Sequence, residues 1–354
     1  MRNEKIDNLK GMMMLLVVYG HLLELIMDHG AAKFLYEWIY TFHMPLFLFL
    51  TGYFFGFDIK KIILQLIYPY IIFQTLYLLF ARYILHTDEA LQYTTPYWLL
   101  WYLFAVIIFN FMAYFCQPEA LKGEIAFLIG TVMIAIIAGF AGGIERAFSL
   151  SRIQVFFPFF LFGRYFHNWQ IRGKKKEQTE QQELKEQQTE QYTGQQTANC
   201  RKGKAYTICC SISVLITAGY TVWLLFSYNQ FQNKWFYEAG SYQSQGSSPQ
   251  FRLLQMGIAA AFVLAFYYLV PNRKLFFFNK IGKNTLQVFL LHGFLIKILQ
   301  EHSVMEQVPF PLVSAFGFSL VITFVLASRP IGIITGPFMK GKAYGKKKSI
   351  SNCS

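Results

Sequence analysis

Three ionisable side chains interrupt the apolar run LKGMMMLLVVYGHLLELIM at residues 9–27: Lys10, His21 and Glu24. An imidazole is the side chain best matched to moving protons near neutrality as a general base, and it can also carry an acyl group transiently. Glu24 follows His21 by three residues, close enough to orient the ring or hold its proton. Lys10 precedes His21 by eleven positions, about 16 Å or three helical turns, so both lie on roughly one face. A cation at one end of a helix and an imidazole midway along it thus line a single track. The plainer reading is a His–Glu pair that only locks two helices together. The register of Lys10 brings a functional reading level with it.

Three further segments place polar residues where lipid-facing chains would not. In FHMPLFLFLTGYFFG (42–56), His43 is followed by Pro45, which loosens a helix, and by Thr51-Gly52, a small surface for close helix approach. In SLSRIQVFFPFFLFGRYF (149–166), Arg152 stands at a helix mouth ahead of Pro158 and Gly163. In IGKNTLQVFLLHGFLIK (281–297), His292 lies eight residues beyond Asn284, about 12 Å along its helix and at a depth comparable with His21. An ionisable group inside an apolar span costs about 2.5–3.5 kcal/mol on insertion scales, so such groups tend to face a bundle interior and to be functional. Converging histidines could build a catalytic site or a proton path, and the residues alone leave both open.

The elements that must position these groups are membrane helices. The chain is 55% hydrophobic and 14% charged, where a soluble domain carries roughly a quarter charged residues. Apolar runs recur at the length of about 20 residues that a span needs, and 38 Phe and 22 Tyr fill them. We therefore expect an all-α, polytopic bundle of about ten transmembrane helices, at 12–28, 36–57, 62–84, 97–115, 125–143, 153–169, 206–228, 252–270, 284–300 and 310–328. Lys and Arg gather in alternate loops and in the tail, which sets both termini in the cytoplasm and accounts for the net charge of +13 without nucleic acid. The expected organisation is a first transmembrane half at 1–169 with about six helices, a low-complexity cytoplasmic linker at 170–205, a second half at 206–330 with about four helices, and a basic cytoplasmic tail at 331–354. The linker, rich in Gln, Glu, Lys and Thr, lacks an apolar face and reads as flexible or partly helical. Cys116, Cys200, Cys209, Cys210 and Cys353 are odd in number and mostly on the inner side, as reduced thiols would be. No phosphate loop and no CxxC or HExxH metal pattern occurs, so no metal is expected.

Four of these segments together, IDNLKGMMMLLVVYGH (6–21), FHMPLFLFLTGYFFG, SRIQVFFPFFLFGRYF (151–166) and IGKNTLQVFLLH (281–292), resemble in order the membrane-bound acyltransferase-3 family, and most closely its fucose 4-O-acetylase-like branch. That family pairs a basic residue with a His after ten intervening positions, here Lys10 and His21; Lys stands where many members have Arg, and a point charge replaces a bidentate fork. The resemblance implies transfer of an acyl group, most often acetyl, from cytosolic acyl-CoA to a hydroxyl of a cell-envelope carbohydrate or lipid-linked sugar at a bacterial plasma membrane. It implies that His21 is the base or the acyl carrier, with Glu24 orienting it. His43 and His292 would line the same cavity, Lys10 would bind the donor, and Arg152 would hold the acceptor. The competing expectations are a proton-coupled transporter or flippase, for which intramembrane His and Glu would also serve, and a non-enzymatic scaffold docking through the linker.

Overall fold

The computed structural model describes residues 3–87, 92–141, 150–187, 194–237 and 240–339, with the side chains of 177 and 180–205 excepted. Among the described residues there are helices and no strands. In chain order they are α1 (Glu4–Leu23), α2 (Gly30–Tyr53), α3 (Ile59–Ile62), α4 (Tyr68–Tyr83), α5 (Trp101–Phe115), α6 (Leu121–Ile137), α7 (Leu150–Gln187) and α8 (Gly194–Ser227). The short α9 (Tyr242–Gln245) precedes α10 (Pro249–Leu269), α11 (Phe276–Lys283), α12 (Thr285–Glu301), α13 (Val304–Gln307), α14 (Pro311–Leu326) and α15 (Arg329–Met339).

Each of the ten expected spans falls on helix, with α3 and α4 joined through a π-helical turn at Ile63–Ile67. Among the described residues, six stretches rather than ten are long and apolar enough to cross a membrane: Glu4–Ile26, Ile59–Tyr83, Trp98–Phe115, Leu121–Phe140, Tyr206–Gln230 and Pro249–Leu269. The pair α14 and α15, bent by 68°, makes up to seven. The helices that fall short do so for a physical reason. Helix α2 carries Lys33, Glu37 and His43, α12 is 17 residues long with Lys297 and Glu301 in it, and the apolar part of α7 is interrupted by Arg152, Gln154, Arg164 and His167. The linker is helical as far as Gln187 and again from Gly194. Its residues 188–193, and the tail from Lys340 with Cys353, lie outside the described residues.

Local chemistry fixes the helix ends that matter. The Asn3 side chain accepts from the Lys5 and Ile6 amides, and Glu4 and Asp7 sit in the first turn where the helix dipole favours them. Two crossings bring backbones into contact. A Cβ on Gly52 would run into the Phe160 carbonyl, and one on Gly163 into the Phe49 carbonyl, so α2 and α7 meet through reciprocal glycines. The same pattern joins α1 to α11: Gly11 lies against the Phe278 carbonyl and Gly282 against that of Asp7. Beside this second crossing, Asn8 Nδ2 donates to the carbonyls of Arg273 (2.7 Å) and Pro271 (3.3 Å), and its Oδ1 accepts from the Leu275 amide. Asn279 donates to Glu4. The polar start of the first motif therefore seats the late turn before α11. Helix α1 also packs on α2, α12 and α14, which puts it at the centre of the bundle.

Candidate active site

Lys10, Met14, Val17 and His21 all face one side of α1 and line cavities there, at the spacing of successive helical turns. After Leu23 the helix tightens into a 3₁₀ turn at Glu24–Ile26. Glu24 Oε2 is 3.4 Å from His21 Nδ1, and the Tyr40 hydroxyl is 3.1 Å from the same nitrogen. An ionised carboxylate can only accept, so its partnership calls for a proton on Nδ1 and leaves the Nε2 lone pair available. The ring is held in place by aromatic neighbours. Trp98 lies at 4.7 Å between centroids, and the His292 ring stacks at 5.5 Å with 28° between planes.

His43 and His292 share a local arrangement. His43 Nδ1 is 2.9 Å from the Ile39 carbonyl and His292 Nδ1 is 3.0 Å from that of Val288, each one turn back along its own helix. A carbonyl oxygen accepts, so Nδ1 carries the proton in both rings and Nε2 is the basic atom. His43, set against the Tyr40 ring at 4.6 Å, lines the same cavity as His21. His292 is fully buried behind the His21 ring, with no hydrogen-bond partner at Nε2. His43 thus lines the cavity that His21 lines, whereas His292 lies behind its wall. Helix α12 brings it there because Tyr77 of α4 donates to the Leu290 carbonyl and stacks on Phe294 at 3.9 Å, and Gly293 leaves room for that tyrosine.

Two cavities adjoin along this face. The smaller, about 70 Å³, is lined by His21, Tyr40, His43, Trp98, Trp101 and Arg152 among others. The Arg152 guanidinium lies 5.1 Å over the Trp101 ring. The larger, about 380 Å³, has Lys10, Lys283, Gln65 and Thr285 among its polar walls and mostly apolar surface elsewhere. Gln65 reaches it from the π-helical turn. Val17, Met44, Tyr102 and Phe289 are common to both cavities. Tyr102 is fixed by a 2.7 Å hydrogen bond between its hydroxyl and that of Thr51. The structure therefore brings Lys10 to the larger cavity and His21, His43 and Arg152 to the smaller one beside it, with Glu24 against the His21 ring and His292 directly behind.

Several residues at the site carry no individual signal in the sequence. Tyr40, one turn before His43, was legible only as another aromatic in an aromatic helix. Trp98 takes a left-handed backbone, with φ of 35°, as it enters α5; for a bulky residue such strain, of order 1–3 kcal/mol, clusters at functional sites. Lys283, at the end of α11, reaches the larger cavity only because the glycine crossing holds α11 against α1. Glu37, fully buried on α2, sits 3.9 Å from Lys33, and Thr41 of the next turn bonds Tyr220 at 2.9 Å. Among the described residues no three His, Cys, Asp or Glu side chains converge as a metal site.

The model of a family described as an acyltransferase domain, acyltransferase-3, matches residues 3–328. No curated protein and no solved structure matches the chain.

Proposed function

The chain belongs to the acyltransferase-3 family and is a membrane acyltransferase, and from that premise we propose that it moves an acetyl or similar acyl group from acyl-CoA to a hydroxyl of a cell-envelope carbohydrate or lipid-linked sugar. The observation that carries this reading is the pair of adjoining cavities, with Lys10 and Lys283 lining one and His21 lining the other.

Acyl-CoA is a long donor with phosphates at one end and a thioester at the other. Lys10 and Lys283 suit the charged end, since an ammonium serves as a point charge for phosphate. The apolar length of the larger cavity suits the arm that follows, and the smaller cavity suits the thioester. Arg152 offers a sugar hydrogen-bond donors, and Trp98 and Trp101 line the same cavity beside it. Positive charge toward the Lys10 end supports a cytoplasmic position for that end, both termini and the linker in a bacterial plasma membrane, with the acceptor reached from the far side. Membrane lipids surround the remaining helices.

In the reaction, His21 Nε2 takes the proton of the acceptor hydroxyl as its oxygen attacks the thioester carbon. The carbon–sulfur bond then breaks, and the proton passes from the imidazolium to the departing thiolate. The products are an ester and free CoA thiol, with no net proton released. Glu24 stabilises the transient imidazolium through Nδ1–H, and Tyr40 limits how far the ring can turn. His43 offers a second basic nitrogen in the same cavity, suited to accepting a hydrogen bond from the sugar.

The test is radiolabelled acetyl-CoA supplied to membrane vesicles at the Lys10 face, with His21→Ala compared at matched expression. Label is expected in lipid-linked or polymeric glycan, falling by about 10²–10⁴-fold in the variant. Equal labelling by both proteins would overturn the role of His21, and a donor left intact by wild type would return the transporter reading.

A further inference from the structure

The four residues common to both cavities form a collar. A group that went from the Lys10 cavity to the His21 cavity would pass between Val17, Met44, Tyr102 and Phe289. We propose that this collar and the small chamber behind it measure the acyl chain, admitting acetyl and rejecting long acyl groups. The proposal rests on the reading that the donor enters past Lys10 and reacts at His21.

The chamber sets the limit. At about 10–15 Å³ for each water-sized group, the 70 Å³ beyond the collar holds roughly five to seven, the attacking hydroxyl included. An acetyl group with its three non-hydrogen atoms fits beside an attacking hydroxyl, and a hexanoyl chain with seven does not. The chamber walls have little freedom to yield. Trp98 is fixed between His21 and the Lys297 ammonium, which lies 4.8 Å over its ring, and Trp101 is packed between Arg152 and Phe156, the latter ring at 5.3 Å. The collar itself is rigid on one side, because Tyr102 bonds Thr51 and meets the Phe289 ring edge-on at 5.4 Å. Its opposite side is the unbranched thioether of Met44, the wall most easily reshaped. Met44 also lines both chambers, so trimming it enlarges the chamber and the passage together.

The experiment measures His21-dependent release of CoA thiol, as wild type minus His21→Ala, in membranes given acetyl-, propionyl-, butyryl- or hexanoyl-CoA. In wild type, kcat/KM is expected to fall from acetyl to hexanoyl by at least about 100-fold, since each methylene a closed pocket cannot hold discriminates by roughly tenfold or more. Met44→Ala is expected to narrow that ratio by about tenfold or more, and Met44→Leu, of similar volume, to keep it steep. If Met44→Ala does not reach the membrane, Val17→Ala reports the same ratio. An active wild type that uses hexanoyl-CoA as well as acetyl-CoA overturns the ruler and leaves the acyltransferase reading standing. So does an active Met44→Ala with the wild-type ratio. Thiol release from none of the four donors removes the donor reading and the ruler with it.

Discussion

At the scale of single residues, the site is a histidine whose two nitrogens have different tasks. Nδ1 faces Glu24 at 3.4 Å and Tyr40 at 3.1 Å, and Nε2 is left for the acceptor. The carboxylate does more than the phenol, because only it gains from a charged ring during the reaction. Glu24→Gln is therefore expected to lower kcat by about 10–100-fold with KM for the donor little changed, the range of a hydrogen bond to a charged group. Tyr40→Phe is expected to fall less, and equal losses in steady-state assays would mean that Glu24 acts only by packing. In the proposed reaction Lys10 serves the donor end instead. Lys10→Ala is expected to raise KM for acetyl-CoA and to leave acetyl-pantetheine, which lacks the nucleotide phosphates, unaffected; a matching rise for both donors would remove the phosphate contact. Lys10, His21 and Glu24 were legible because helical rise alone put them in register. Tyr40 and Trp98 were not, since in a chain with 19% aromatic residues no ring stands out until its neighbours are known.

At the scale of helices, the site exists because four segments are pinned by two backbone crossings. Gly52 and Gly163 were readable as small residues, and so as candidate contact surfaces, from sequence. Their pairing was not readable, nor was that of Gly11 with Gly282. A glycine announces that something can come close and says nothing about what. The partners are backbone carbonyls with no flexible end to move aside, so a methyl group at either position forces the helices apart. Gly52→Ala and Gly163→Ala are each expected to destabilise the bundle by about 1–3 kcal/mol, the usual penalty for overpacking. Thermal unfolding in detergent measures it, and an unchanged midpoint would mean that α2 and α7 can separate freely. Gly130→Ala, where nothing lies within 4 Å of an added Cβ, is the matched control.

At the scale of the whole molecule, the all-helical bundle was legible from apolar length. Against the ten spans expected, six to seven stretches among the described residues are long and apolar enough to cross a membrane, and α2, α7 and α12, which fall short, carry His43, Arg152 and His292. The polar residues that dilute α2 and α12 are part of the reason these helices are interior. Sidedness is the property on which the proposed reaction depends. Donor supplied to sealed vesicles is expected to be consumed only when the Lys10 end faces it, and a reagent that modifies thiols but cannot cross lipid is expected to reach Cys209 from that same side. Consumption from both faces, or labelling from the opposite one, would contradict the proposed orientation.

The crossing of α1 on α11 also imposes an order in time. Gly11 is made early and Gly282, its counterpart, about 270 residues later, an interval of roughly 15–55 seconds at about 5–20 residues per second. Throughout that wait α1 sits in the bilayer with the Asp7–Gly11 surface unmatched and His21 without the ring that will stack on it. The half-made protein has therefore already inserted His21 with much of the chamber wall, but without Phe289 of the collar. Synthesis of the last third of the chain adds that wall residue and sets the His292 ring behind the imidazole.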